Sequence, residues 1–189
     1  MLCGDFTEDY ETMVPFQALS MLGYQVDCCL TRIRKPVTLL RQPFMISLVT
    51  RLTPKRPGHN FALTADFDTV NTADYVGLFI TGGRAPEYIR LNPRVIEIVQ
   101  EFFAAKKPVA SICHGPQILT AAGVLKGVKA TAYPAVGPDI TLAGGTYVEV
   151  PADQAVVDEA AQLVTAPAWP GDTAILAEFV KLLGAKIEI

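Results

Sequence analysis

The segment PVASICHGPQIL, residues 108 to 119, decides the fold of this 189-residue chain. It begins as an apolar run that is typical of a buried strand, and from Pro116 it continues as a helix-forming stretch. Cys113, His114 and Gly115 stand between the two. A strand that turns directly into a helix is the repeating unit of a parallel sheet with crossover helices. We therefore expect the cysteine at the carboxyl end of a strand, where α/β proteins bind ligands.

The same alternation of short strands and longer helices runs through most of the chain. The pattern predicts helices over residues 11–22, 93–105, 116–125 and 173–184, and strands over residues 24–30, 75–80, 108–113 and 163–167. This rhythm predicts an α/β fold, a three-layer sandwich with a mostly parallel sheet between helices.

The composition excludes several classes of protein. Half of the residues are hydrophobic, which favours one large core in a single domain over residues 1–189. The net charge of -3 gives no general attraction to nucleic acid or to an anionic membrane. No apolar run approaches the roughly 20 residues of a membrane span. The chain does not begin like a signal peptide, so we expect a cytoplasmic protein with reduced thiols.

The cysteine spacing matches no zinc pattern, and we predict neither a metal nor another cofactor. The four cysteines are Cys3, Cys28, Cys29 and Cys113. Cys28 and Cys29 lie in an apolar run, which favours core positions on a strand over a redox or metal role.

Cys113 and His114 form a candidate nucleophilic pair. A free cysteine is mostly protonated at neutral pH, because its pKa is about 8.5. The start of a following helix and an adjacent imidazolium both favour the thiolate. A strand, a nucleophile and a helix in this order form a nucleophile elbow. The amide of His114 and the Gly82–Gly83 turn are candidate oxyanion donors. The alternative is an unreactive buried Cys113 beside an exposed His114.

The residues alone leave the carboxylate partner of this pair open. An acid would orient His114 or share a proton with the thiol, although acids ahead of a helix also serve as ordinary caps. The candidates are Asp5, Glu8, Asp9, Glu11 and Glu87. His59 follows a Pro-Gly turn and is interpreted as a loop residue without a partner motif.

Taken together, these motifs resemble the DJ-1/PfpI superfamily, which has a class I glutamine amidotransferase-like, flavodoxin-like fold. The matching segments are GDFTEDYETMVPFQAL (4–19), ITGGRAPEYIRLNPRV (80–95), KPVASICHGPQILTAAGVLKG (107–127), TAYPAV (131–136) and LVTAPAWP (163–170). They cover nearly the whole chain except residues 31–55. The chain is most similar to the PfpI-like branch with the plant glyoxalase III type proteins, in which such domains often occur in tandem.

The resemblance implies roles for the residues that match. Cys113 is the nucleophile, and Glu11, four residues before Pro15, is its hydrogen-bonded acid and the general acid or base. His114 completes the Cys-His pair. Glu87 matches an acid that reaches this histidine across a subunit interface.

The resemblance further implies an oxyanion hole formed by the amides of Gly83 and His114. Gly82 is expected at the substrate pocket, and Trp169 either lines that pocket or supports its packing. A homo-oligomer, as a dimer, trimer or hexamer, is the expected state.

The implied activity is a glutathione-independent glyoxalase that converts methylglyoxal or glyoxal to lactate or glycolate. Deglycase activity on early glycation adducts uses the same cysteine. The alternatives are an intracellular cysteine peptidase of the PfpI type, with a peptide substrate, and a redox-sensing or chaperone protein whose cysteine is oxidised.

Two stretches depart from the family pattern. Only Leu2 and Cys3 precede the GDF turn, so we expect a shortened first strand and consider a truncated chain start. Residues 31–55 lack a clean helix or strand period. No Asp or Glu occurs between Cys28 and Ala65, whereas seven of the sixteen basic residues lie between Arg32 and Arg56.

Three interpretations of residues 31–55 are open: a basic binding loop, a poorly packed divergent insertion, and a local frameshift. Permitted codons read two bases out of frame give DKNKKAGDTVATALHDFSGDQTYTQK, which resembles the KKAGDT, HDF and GDQTY motifs of plant relatives. Resequencing the gene distinguishes the frameshift from the other two. If the sequence is real, we expect an aggregation-prone patch that leaves Cys113, Glu11 and Glu87 in place.

Overall fold

The computed structural model describes residues 1–30, 37–41 and 56–186. The helices of this part are α1 (Tyr10–Met21), α2 (Ala85–Ile89), α3 (Pro93–Ala104), α4 (Pro116–Ala121), α5 (Gly137–Leu142) and α6 (Asp172–Leu182). Its strands are β1 (Cys29–Leu30), β2 (Val37–Arg41), β3 (Arg56–Phe61), β4 (Ala65–Asp66), β5 (Leu78–Ile80), β6 (Val109–Ile112), β7 (Lys129–Ala130), β8 (Thr146–Tyr147), β9 (Val156–Asp158) and β10 (Leu163–Ala166).

The main sheet has the strand order β4, β1, β5, β6, β10 and β9, with Leu2 joining β1 to β5. All pairings are parallel except that of β9 with β10. Leu2 bridges Cys29 on one side and Ile80 on the other, and its N–H donates to Phe79 O at 2.9 Å. The strand segment at Leu2, which precedes β1 in the chain, is therefore as short as its sequence predicts.

Helices cover both faces of this sheet, which confirms the three-layer α/β sandwich. On one face, Ile98, Phe102 and Leu119 pack with Leu78 and Val109. On the other face, α1 and α6 pack over the alternate strand residues, which include Phe79, Ala110, Ile112 and Val164. Side chains that alternate along each strand thus supply both apolar layers.

Helix α3 shows how local sequence and packing agree. Pro93 occupies the first turn, and the side chain of Asn92 accepts a hydrogen bond from the Arg94 N–H at 2.9 Å. Val95, Ile98, Val99 and Phe102 are buried at helical spacing. Burying each of these side chains contributes about 1.5–3 kcal/mol, so a polar substitution at any of them would remove the main support of the helix.

The predicted strands over 24–30 and 75–80 are longer than the observed ones. Among the described residues, 24–28 do not form a ladder, although the Cys28 carbonyl accepts hydrogen bonds from the N–H groups of Thr64 and Ala65 at 3.0 and 3.3 Å. Cys29 is the first residue of this segment in the ladder, and its N–H donates to Met1 O at 2.9 Å. Helices α2 (five residues) and α5 (six residues) were not predicted.

The atypical basic segment lies mostly outside the described residues. Within it, Val37–Arg41 forms strand β2, which pairs antiparallel with β3. This strand was not predicted, because residues 31–55 show no clean strand or helix period. The three interpretations of residues 31–55 remain predictions. In the described ranges, no helix is both long and apolar enough to span a membrane.

Candidate active site

Cys113 lies in a strained turn between β6 and α4. Its φ angle is 59°, in the left-handed region that costs a residue other than glycine about 1–3 kcal/mol. Two hydrogen bonds hold the turn: the Cys113 N–H donates to Ala166 O at 2.9 Å, and the Tyr133 N–H donates to Cys113 O at 2.9 Å. A Cβ at Gly115 would lie 2.6 Å from Ser111 Oγ, so the turn needs glycine there. This is the geometry of a nucleophile elbow.

Glu11 reaches this cysteine from the first turn of α1. The side chain is fully buried, at 0 % exposure. Gly82 lies between the two groups: a Cβ at this position would collide with Glu11 Oε2 and lie 2.6 Å from Cys113 Cβ. The absence of a side chain at residue 82 therefore lets the carboxyl and the thiol meet.

The surroundings of Glu11 favour its protonated form. Burial raises the pKa of Glu11 well above its usual value, and the charges of Glu8 and Asp172 raise it further. The Cys113 thiol and the Gly82 amide act in the opposite direction. These two contacts are not aligned as ordinary hydrogen bonds, since neither Glu11 oxygen has such a partner among the described residues.

Opposing effects act on the pKa of the Cys113 thiol. Burial raises its pKa well above the usual value, and the charge of Glu11 raises it further. The backbone amides of Gly83 and His114 lower it, because both point toward the sulfur. Helix α4 has only six residues, so the dipole at its N-terminus does not outweigh the effect of burial. The pKa of Cys113 is therefore raised, whereas an elbow followed by a helix predicts a lowered pKa. Cys113 and Glu11 are instead two adjacent buried acids, and the protonation of each depends on the charge of the other.

His114 and Glu87 occupy different surroundings in the single chain. His114 Nδ1 lies 3.2 Å from Cys113 Sγ, and the imidazole stacks on Tyr133 with ring centroids 4.8 Å apart. Glu87 is 41 % exposed and pairs with Arg84 at 2.9 Å. Its predicted contact with His114 of a neighbouring subunit stays a prediction. Tyr133 is a site residue that we did not predict, although it lies in the TAYPAV motif.

The segment that follows β10 closes the site against α1. Trp169 stacks on Tyr10, with ring centroids 5.3 Å apart and an interplanar angle of 29°. Asp172, three residues later, is buried at 4 % exposure, as is Glu8 at 1 %. Sequence reasoning did not assign a role to Asp172, because an acid at the start of a helix also reads as an ordinary N-terminal residue.

His59 differs from its interpretation as a loop residue without a partner. It lies in β3, and its Nδ1 is 2.9 Å from the Asp9 carboxylate, which is buried at 4 % side-chain exposure. The two residues border a cavity of about 320 Å³ along α1. His59 and Asp9 are 50 residues apart in the chain, so no local motif indicates their pairing.

The remaining cysteines are buried in the core, which was predicted for Cys28 and Cys29, although only Cys29 lies on a strand. Cys3 and Cys28 pack together with Phe61, and Cys29 is 5 % exposed. In the part of the chain that the structure describes, no three His, Cys, Asp or Glu side chains are arranged to hold a metal ion.

Comparisons with known proteins agree with this fold. A family model described as the DJ-1/PfpI family matches residues 1–182. Protein DJ-1 homolog D of Arabidopsis thaliana is 48% identical over 187 residues, which cover 98% of this chain and 47% of the relative. The chain thus spans about half the length of that relative.

Two further proteins are similar to this chain, one over nearly its own whole length and one over about half of its own length. A protein of Pyrococcus abyssi that is named a deglycase is 37% identical over 189 residues, which cover 97% of each chain. A two-domain protein of Anabaena variabilis with DJ-1/ThiJ/PfpI-like and ferritin-like domains superposes with a TM-score of 0.79 at 27% identity, over 97% of this chain and 47% of that one.

Proposed function

Because the chain belongs to the DJ-1/PfpI family, we propose that it is a glutathione-independent glyoxalase that converts methylglyoxal to lactate. The observation that supports this activity is the contact of the buried Glu11 carboxyl with the Cys113 thiol, beside two backbone amides. A nucleophile, an acid or base and oxyanion donors then meet at one point. Cys113 is only 3 % exposed, which favours a small dicarbonyl over a peptide segment.

In the first step, Cys113 gives its proton to His114 Nδ1, which lies 3.2 Å from the sulfur, and the resulting thiolate attacks the aldehyde carbon of methylglyoxal. A C–S bond forms, and the carbonyl π electrons move to the oxygen, which becomes an alkoxide. We infer that the amides of Gly83 and His114, which lie beside the sulfur, stabilise this charge. Glu11 enters the step protonated and donates its proton to the alkoxide, which gives a hemithioacetal and a Glu11 carboxylate.

In the second step, Glu11 moves a proton between neighbouring carbons. Its carboxylate takes the proton from the former aldehyde carbon, and the ketone oxygen gains a proton from His114 or water. This gives an enediol. Glu11 then returns its proton to the former ketone carbon. At the same time, the hydroxyl on the former aldehyde carbon gives its proton back to His114 or water. The product is a lactoyl thioester, and water hydrolyses it to lactate and the free thiol.

Deglycase activity is a second candidate, favoured by the relative of equal length that carries this name. A hemiaminal that methylglyoxal forms with an amine presents the same two carbons as free methylglyoxal. After the amine leaves, thiolate addition and proton transfer would follow the same route. The half-exposed Tyr10, stacked on Trp169, offers an aromatic surface for the amine-bearing part of such a substrate.

The test is lactate production from methylglyoxal by the purified protein, without glutathione and in the presence of a chelator. We expect turnover in the wild type and a loss of at least about 10²-fold in Cys113→Ala. Lys181→Ala, on the exposed side of α6, serves as the control and should retain full activity. A Cys113→Ala variant with full activity would refute the mechanism.

The same preparation distinguishes the other functions. Casein or peptide cleavage that is lost in Cys113→Ser and Glu87→Ala, without lactate formation, would indicate the peptidase. Peroxide modification of Cys113 without turnover of any of these substrates would indicate the redox sensor.

A further inference from the structure

A cavity of about 320 Å³ lies along one side of α1 and has no part in the proposed mechanism. Its lining residues are Asp9, Tyr10, Met13, Val14, Gln17 and His59. The α1 residues of this set follow helical spacing on one side of the helix, whereas the buried residues of α1, which include Glu11, occupy the other side. A cavity of this size, which we call the α1 cavity, is large enough for a small ligand or a short piece of chain.

The α1 cavity begins next to the candidate nucleophile. Tyr10 lines the cavity, and the next residue of α1 is Glu11, whose carboxyl meets Cys113. Tyr10 also stacks on Trp169, with ring centroids 5.3 Å apart. Trp169 follows β10, which pairs with the strand that leads to Cys113. The first turn of α1 therefore separates the cavity from the thiol, and a helix with its side chains is only about 10 Å across.

A buried carboxylate fixes the histidine at one wall of the α1 cavity. His59 Nδ1 lies 2.9 Å from the Asp9 carboxylate, and the His59 backbone N–H donates to the same group at 3.4 Å. The Asp9 side chain is only 4 % exposed, whereas the His59 side chain is 59 % exposed. Because Nδ1 is engaged with Asp9, Nε2 is the ring nitrogen that is placed to hydrogen-bond a ligand.

Side-chain packing holds this wall against the helix. Phe61, two residues after His59 in β3, packs edge to face on Phe16 of α1, with ring centroids 5.1 Å apart. This contact and the pair of His59 with Asp9 join β3 to α1 at two points. The α1 cavity is therefore preformed, and a ligand does not have to order its walls.

The chemistry of the lining favours an uncharged ligand that has both hydrogen-bond donors and acceptors. Gln17 supplies an amide, Tyr10 a phenol and His59 an imidazole. None of the described lining residues is a lysine or an arginine, and the charges of a protonated His59 and an ionised Asp9 cancel. A phosphate or a free carboxylate would lack a lasting counterion there, whereas a peptide offers neutral N–H and C=O groups.

We propose that the α1 cavity binds the peptide that carries a dicarbonyl adduct during deglycation. The adduct, on a long side chain such as that of arginine, then extends over the stack of Tyr10 and Trp169 to Cys113. Because Cys113 is only 3 % exposed, a peptide substrate needs a separate place for its main chain. The proposal rests on the proposed deglycase activity for its role in turnover, whereas peptide binding is testable without turnover.

The first experiment compares two methylglyoxal adducts, one of the peptide acetyl-Ala-Arg-Ala-amide and one of free arginine. Mass spectrometry measures the initial rate at which unmodified peptide or arginine is released. Each kcat/KM is then divided by the kcat/KM for free methylglyoxal, so that differences in the common chemistry at Cys113 cancel. Mere capture of methylglyoxal that dissociates spontaneously would give the same ratio in every variant.

Two variants alter the α1 cavity. His59→Ala removes the imidazole, and Gln17→Trp fills the cavity from an exposed position. Ser20→Trp is the matched control, because Ser20 is exposed on the same helix and does not line the cavity. The ratio for the peptide adduct should fall about three- to tenfold in His59→Ala, as for one lost hydrogen bond, and at least as far in Gln17→Trp. The ratio for the arginine adduct should not change, and Ser20→Trp should leave both ratios as in the wild type.

Either of two results would overturn the proposal. One is a peptide-adduct ratio that is the same in the wild type and in both cavity variants. The other is an equal loss for both adducts, which would show that the α1 cavity does not recognise the peptide.

A second experiment measures peptide binding without turnover. Cys113→Ala is titrated with unmodified acetyl-Ala-Arg-Ala-amide, and the NMR signals of the His59 ring report the dissociation constant. Adding Gln17→Trp should weaken this binding, whereas adding Ser20→Trp should not. Peptide binding that depends on Gln17, without amine release by the wild type, would refute the deglycase and support the α1 cavity. Amine release without such binding would support the deglycase and refute the α1 cavity.

Discussion

Replacing Gly82 with alanine tests whether the site depends on the close approach of Glu11 to Cys113. The added Cβ would collide with Glu11 Oε2 and would lie 2.6 Å from Cys113 Cβ and 2.9 Å from Ile112 O. The strand carbonyl cannot move easily, so the Glu11 carboxyl must retreat by roughly 1 Å, a misplacement that costs about 10²-fold in rate. Overpacking should also cost about 1–3 kcal/mol of stability.

The assay compares kcat/KM for methylglyoxal with the free energy of unfolding in urea. Gly77→Ala is the matched control, since its Cβ would meet Leu183 Cδ2 at 2.7 Å and Phe179 Cζ at 3.0 Å, away from Cys113. We expect both variants to be destabilised, but only Gly82→Ala to lose turnover. Equal kcat/KM in the two variants would show that the approach of Glu11 to Cys113 does not matter for the reaction.

Three other predictions concern stability and the outer residues. The pKa of Asp172 rises from 3.8 to about 8 on folding, so the folded state holds the extra proton between these values, and stability from this group falls as pH rises through them. Urea denaturation should therefore show a loss of a few kcal/mol from this group between about pH 4 and pH 8, and Asp172→Asn should lack that component. Asp158→Ala removes acceptors for the N–H groups of Lys129 and Ala161, at 2.9 and 3.1 Å, and should cost about 1–3 kcal/mol by the same denaturation; an unchanged midpoint would contradict this. His59→Ala should change stability by less than about 1 kcal/mol and leave lactate formation intact, because the His59 side chain that pairs with Asp9 is 59 % exposed. A large loss of turnover would instead make His59 part of the site.

The local pattern around Cys113 was sufficient to predict its strand, turn and helix. Val109–Ile112 and Pro116–Ala121 differ from the predicted elements only at their ends. The prediction works because an apolar run and a proline restrict the backbone within a few residues, and the glycine between them permits a close turn. The sequence also predicted the short first strand, since only Leu2 and Cys3 precede the turn.

The remainder of the site depends on contacts between distant segments. The meeting of Glu11 with Cys113 followed from a family resemblance, because five acids were equally good candidates on their own. The buried position of Asp172 was not predicted, because it depends on the packing of α6 on α1 and not on neighbours in sequence. Strand β9 likewise pairs antiparallel through tertiary contacts, and its three residues carry too short a pattern to read.

The most direct test of the Cys113–Glu11 pair is kcat for lactate formation by Glu11→Gln, with alkylation of Cys113 measured on the same sample. Glutamine keeps the shape of the side chain but can neither accept nor return the substrate proton. We predict that Glu11→Gln folds, still reacts with iodoacetamide at Cys113, and loses about 10²–10⁴-fold in kcat. A kcat within about twofold of the wild type would contradict the proposed role of Glu11.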